Sequence, residues 1–77
     1  MSVKHRLALY ILAQTSESKG NTVTLPVKES LSSLLGTTQR HLNRVIKELV
    51  LSGGITDDDY PSILINDRLV LQEIIDD

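Results

Sequence analysis

Gln39, Arg40, Asn43, Arg44 and Lys47 follow one another at i, i+1, i+4, i+5 and i+8, the spacing of one continuous helix face, and all five end in hydrogen-bond donors. Donors of these types match the edges of nucleic-acid bases. Arg and Lys donate to guanine O6 and N7, Asn and Gln bond adenine bidentately, and a well-made bidentate pair discriminates by roughly 1–3 kcal/mol. The same stretch, "GTTQRHLNRVIKEL", carries Leu42, Val45, Ile46 and Leu49 at helical spacing, a core-facing stripe. Thr37, Thr38 and the helix N-terminus add donors suited to phosphate. By itself a basic helix face is usually just a solvated surface, so its meaning depends on the elements that hold it.

Just upstream, the leucine spacing predicts a helix over about residues 27–35, with Leu31, Leu34 and Leu35 on one side. Pro26 suits the start of that helix, where a missing N–H costs nothing. Gly36 is a natural helix stop. Thr37 or Thr38 can cap the next helix, which runs to about residue 51 and ends at "SGG". Residues 27–51 thus have the length, the glycine and the apolar positions of a helix-turn-helix, whose second helix lies in the DNA major groove.

The flanks supply the rest of a fold. "MSVKHRLALYILAQ" opens a helix expected over residues 3–18, apolar over most of its circumference and so either well buried or packed on two sides. Its basic start also suits a signal peptide, but the apolar run is interrupted at helical period and no small-x-small cleavage site follows. "SKGN" breaks the helix, and "TVTL", residues 22–25, alternates as a short strand. Further on, Ile55-Thr56 and Ile63-Leu64-Ile65 flank a turn-rich "DDDYPS", which predicts a hairpin over residues 55–65. Asn66 or Asp67 can cap a last helix, giving an element over 67–75. The expected architecture is a single winged helix-turn-helix domain, mainly α with a small antiparallel sheet: helix, strand, helix, turn, helix, hairpin, helix.

Composition narrows the function. The chain has 77 residues, 40% of them hydrophobic, enough for one small core. It has no Phe or Trp and two Tyr, so that core is aliphatic and is expected to gain stability from a partner or a neighbouring domain. The absence of cysteine excludes disulfides, thiolate catalysis and Cys-based zinc sites. Neither His5 nor His41 has a carboxylate at metal-binding spacing, and the serines of "ESLSSLL" have no base partner, so no catalytic or metal role is expected. No apolar run approaches the roughly 20 residues that span a bilayer, which predicts a cytoplasmic protein without a membrane segment. The net charge of −2 is uneven, with +4 over residues 1–54 and −6 over residues 55–77.

"LSSLLGTTQRHLNRVIKEL" resembles the helix-turn-helix signature of the Crp/Fnr family of bacterial transcription regulators, and the likeness extends outward to "RLALYIL" and to "GGI…SILINDRLVL". It covers nearly the whole chain, as the C-terminal DNA-binding domain of such a regulator. The resemblance makes Arg44 the base-reading arginine and places Arg40 where many members carry a glutamate that accepts from cytosine. A donor in place of an acceptor implies an altered half-site. Gln39 falls at a variable specificity position and Asn43 where small residues occur. Thr38 matches a capping, phosphate-binding Ser/Thr, and Lys28 a basic phosphate contact at the start of the first helix of the motif. Lys47 matches a further basic position, Thr37 adds a phosphate donor, and His41 replaces a threonine that touches phosphate.

The resemblance further implies a homodimer on a pseudo-palindromic DNA site, with the isolated domain a monomer and RNA polymerase a further candidate partner. No cofactor is expected within these residues, since an effector would bind an N-terminal sensor domain. The alternative, favoured by Asp57, Asp58 and Asp59 and by the acidic last third, is a winged helix that docks a basic protein and does not bind DNA specifically. The three aspartates are otherwise a solvated wing tip, where they would repel phosphate.

Overall fold

The computed structural model describes residues 1–15 and 20–76. Its elements are α1 (Val3–Thr15), β1 (Thr22–Thr24), α2 (Lys28–Leu34), α3 (Gln39–Leu51), β2 (Ile55–Asp59), β3 (Ser62–Ile65) and α4 (Arg68–Asp76). They build a winged helix-turn-helix: four helices around a three-stranded antiparallel sheet in the order β1-β3-β2. The expected continuation of the first helix to residue 18 lies outside the described residues.

Ser2 opens α1, its Oγ accepting from the His5 backbone N–H at 3.2 Å. Leu7, Ala8, Ile11 and Thr15 then turn inward. The helix is packed on two sides, against α4 and against α3 with β1, which accounts for its broad apolar surface. In the sheet, Val23 pairs with Ile63 and Ile55 with Ile65, and all four side chains face the helices. Leu7, Ile11, Leu31, Leu42, Leu49, Ile55, Ile63 and Leu71 form the fully buried centre, aliphatic throughout as the composition requires.

Both helix ends that matter most are closed by glycine. Gly36, at φ +68°, follows α2; its N–H donates to Ser33 O and that of Thr37 to Ser32 O, the paired bonds of a Schellman motif. Gly53, at φ +85°, ends α3 in the same way, with Gly53 N–H on Val50 O and Gly54 N–H on Leu49 O. The Gly54 carbonyl then accepts from Asn66 and Asp67, tying the exit of α3 to the entry of α4. Asp67 caps α4 by accepting from Leu69 N–H at 3.0 Å, while the Asn66 amide donates to Thr56 Oγ1.

Three local expectations need correction. Pro26 does not begin α2: Val27, extended at ψ 153°, is the N-cap and Lys28 the first helical residue. The Pro26 carbonyl is taken by the Tyr60 hydroxyl at 2.6 Å, and Leu25 N–H donates to Pro61 O, so the chain continues beside the wing before it turns. Leu34 is 61% exposed, while Ser32 is buried. A helix of 7 residues buries a narrow face, here Leu31 and Leu35, and Ser32 shares it because its hydroxyl donates to Glu29 O. Finally, the wing turn is tighter than "DDDYPS": Asp57, Asp58 and Asp59 belong to β2, and Tyr60 and Pro61, joined by a cis peptide, make the connection. Two residues of β2, Asp57 and Asp58, stand opposite the single Ile63 of β3, a bulge that absorbs the extra length.

A Cβ at Gly36 would meet nothing closer than Arg6 Nη1 at 3.8 Å, so Gly36→Ala isolates the cost of the left-handed backbone. The expected loss is about 1 kcal/mol, or roughly 4–8 °C in Tm for a domain of this size, read by thermal unfolding. Gly36→Asn should lose less, because Asn tolerates this region. Burial raises the Tyr60 pKa above its ordinary 10.0, so the folded state holds that proton more tightly than the unfolded one. The stabilisation is therefore complete below pH 10 and is lost as pH rises through the folded value. Denaturant midpoints measured in alkaline solution should fall more steeply for the native chain than for Tyr60→Phe.

Candidate nucleic-acid interface

The turn between α2 and α3 delivers the third helix with its N-terminus exposed. Thr38 is the N-cap, extended at ψ 157°, and its Oγ1 accepts from His41 N–H at 3.1 Å. Of the two threonines, Thr38 therefore closes the helix, while Thr37 is half-buried in the turn and lends its N–H to Ser32. With the cap satisfied internally, the first turn holds its shape without a partner.

From there α3 divides cleanly. Leu42, Val45, Ile46 and Leu49 are buried, and Gln39, Arg40, His41, Asn43, Arg44 and Lys47 are all exposed on the opposite side. The first turn contains no acid, and Glu48 is the one acidic residue of the helix. The structure thus brings the four residues expected to read bases, Gln39, Arg40, Asn43 and Arg44, onto a single open surface, with His41 and Lys47 beside them. This surface presents donors and positive charge, which is the chemistry that bases and phosphates accept.

Lys28 stands apart from that surface in character. It is half-buried at the first position of α2, and its Nζ lies 5.0 Å from the centre of the Tyr60 ring. Tyr60 joins the wing to the helix-turn-helix twice over, through this contact and through its hydroxyl bond to the Pro26 carbonyl. The turn-rich "DDDYPS" predicts the hairpin connection but neither of these contacts. The signal in the sequence is its rarity: Tyr60 is one of two aromatic residues in the chain, and a turn by itself has no need of one.

The wing itself carries Asp58 and Asp59 exposed and Asp57 half-buried. Among the described residues no cluster of His, Cys, Asp or Glu could hold a metal ion, and no helix is long and apolar enough to cross a membrane.

The sequence pattern of the Crp-like helix-turn-helix domain matches residues 5–74. The fold is similar to that of a Crp/Fnr-family protein from Eubacterium rectale, with a TM-score of 0.82 and 21% identity over 99% of this chain and 34% of that one. It is also similar to the Thermus thermophilus catabolite activator protein, with a TM-score of 0.75 and 20% identity over 95% of this chain and 33% of that one. The chain thus spans about a third of the length of each solved relative. Comparison with curated proteins gives no significant match. At these identities the solved relatives speak to the fold, while the sequence pattern speaks to descent: the chain belongs to the Crp-like helix-turn-helix domain family, DNA-binding domains of transcription regulators.

Proposed function

We propose that this chain binds double-stranded DNA sequence-specifically, laying α3 in the major groove. Gln39, Arg40, Asn43 and Arg44 read base edges, and Lys28, Thr37, Thr38, His41 and Lys47 hold backbone phosphates. The observation that carries the reading is the division of α3, whose exposed donors stand back to back with a fully buried stripe. Arg40 and Arg44 suit guanine, and Gln39 and Asn43 suit adenine. With Arg40 a donor, the preferred half-site departs from one in which a glutamate accepts from cytosine.

The proposal places homodimer formation and effector binding in a longer, cytoplasmic regulator, with RNA polymerase as a further partner. Two copies on a pseudo-palindrome would read half-sites about one helical turn apart. A single copy then binds weakly and with strong salt dependence, since phosphate contacts dominate its affinity. The competing reading, a winged helix that docks a basic protein, draws on the acidic β2.

Selection from a randomised duplex library with a tandem, tethered pair of these domains tests the assignment. The expected result is enrichment of a two-fold symmetric site. Arg44→Ala should weaken its binding by about 1–3 kcal/mol per half-site and relax the preference at one position of each. Arg40→Glu should move one position of each half-site from guanine towards cytosine. Lys47→Ala should weaken all sequences alike and lower the salt slope by about 1 for each domain of the pair. Should no sequence be enriched and Arg44→Ala leave affinity unchanged, the DNA reading is lost in favour of protein docking.

A further inference from the structure

Lys28 belongs to the helix-turn-helix and Tyr60 to the turn of the wing, two elements that a Cα trace would show only as neighbours. The side chains make them one unit. The Tyr60 hydroxyl donates to the Pro26 carbonyl at 2.6 Å, a bond between residues 34 apart in sequence. With one end of the ring pinned, its face lies under the Lys28 ammonium at 5.0 Å from the centroid, within the range in which a cation is attracted to a π face. The turn that carries Tyr60 is held from its other side, Pro61 O accepting from Leu25 N–H at 2.8 Å and Asp57 O from Tyr60 N–H at 3.1 Å.

We propose that Tyr60 is a positioning residue for DNA binding, whose clamped ring holds the Lys28 ammonium at the entrance of α2 for a backbone phosphate. The inference rests on the DNA-binding reading above and adds a residue to it. A free lysine is a flexible stem with a strongly hydrated head, and it loses much rotamer freedom when a phosphate fixes it. A ring already in place removes part of that loss before DNA arrives.

The neutrality of the ring matters as much as its position. Glu29 lies next to Lys28 on α2, and Asp57, Asp58 and Asp59 lead directly into the turn that carries Tyr60. An ammonium paired with one of these carboxylates would have its charge compensated before any phosphate approached. Among the described residues, the interaction that the Lys28 ammonium makes is the one with the ring. A π face attracts the cation without cancelling its charge, so the lysine is held and still available. A phenol of ordinary pKa 10.0 is uncharged throughout the neutral range, and burial moves Tyr60 further in that direction.

Two measurements test this. In the free chain, the ε-CH2 protons of Lys28 should show an upfield ring-current shift in a proton–carbon correlation spectrum. The shift should vanish in Tyr60→Leu and persist in Tyr60→Phe, which keeps the ring. Its absence from the native chain overturns the inference, and this arm stands even where Tyr60→Leu fails to fold. The second measurement is a double-mutant cycle on a random-sequence duplex over a salt series. Lys28→Ala should weaken binding roughly two- to fivefold and lower the salt slope by about 1. Tyr60→Leu should cost a similar factor while Lys28 is present, and little in the Lys28→Ala background. Tyr60→Phe, which keeps the π face but loses the hydroxyl bond to the Pro26 carbonyl, should fall between the native chain and Tyr60→Leu. Additive losses, with the salt slope unmoved by Tyr60→Leu, would mean that Tyr60 serves the fold alone, and would overturn the inference while leaving DNA binding intact. A native chain that no duplex retains, random or selected, ends the DNA-binding reading itself and the phosphate role of Lys28 with it.

Discussion

The arrangement depends on the rotation of α3 about its own axis. Leu42 and Leu49 are wholly buried, and Val45 and Ile46 are each 2% exposed, in a socket built by α1, α2 and β2. Turning the helix would hydrate them, at about 1.5–3 kcal/mol for each side chain brought into water. Net stabilities of small domains are of the same order as a few such losses, so the rotation and the fold stand or fall together. Because the four residues recur at helical spacing, fixing them also fixes the direction in which Gln39, Arg40, Asn43 and Arg44 point.

The junctions translate that constraint into a site. A Schellman motif at each end sets where α3 begins and stops, and each depends on a glycine with positive φ. Thr38 satisfies the first turn from within, so the donors that follow are exposed from the first residue of the helix onward. At the far end, the Gly54 carbonyl gathers the N–H groups of Asn66 and Asp67, so that the wing and α4 are hung from the same point. The wing is then secured at its tip as well, by the reach of Tyr60 to Pro26. A sheet of three short strands is held in place by these two attachments as much as by its own ladder.

The elements, their order and the composition of the open face of α3 are legible in the sequence, because they rest on periodicity and on glycine. Leu42, Val45, Ile46 and Leu49 announce a helix face, and Gly36 and Gly53 announce the backbone that only glycine adopts freely. The errors fall where a residue obeys a distant partner. Pro26 stays outside α2 because a hydroxyl from the wing claims its carbonyl, and no local rule contains that information. Leu34 looks like core by type, yet α2 is too short to bury a third leucine. The aspartates read as loop by composition, while pairing with β3 draws them into a strand. The role of Tyr60 is illegible for the same reason: it lies in contacts with Pro26 and Lys28, far away in sequence.

That strand has a bearing on how copies of this chain treat one another. With β3 central, β2 is an edge among the described residues, and one row of its backbone N–H and C=O groups has none of their strands beside it. Such an edge is a template on which a second copy can add, and flat apolar edges seed aggregation. Here the edge is bent by a bulge and carries three carboxylates in succession, so two copies meeting along it would bring six negative charges into register. The acidity that makes the wing a poor companion for phosphate thus keeps the sheet closed to its own kind.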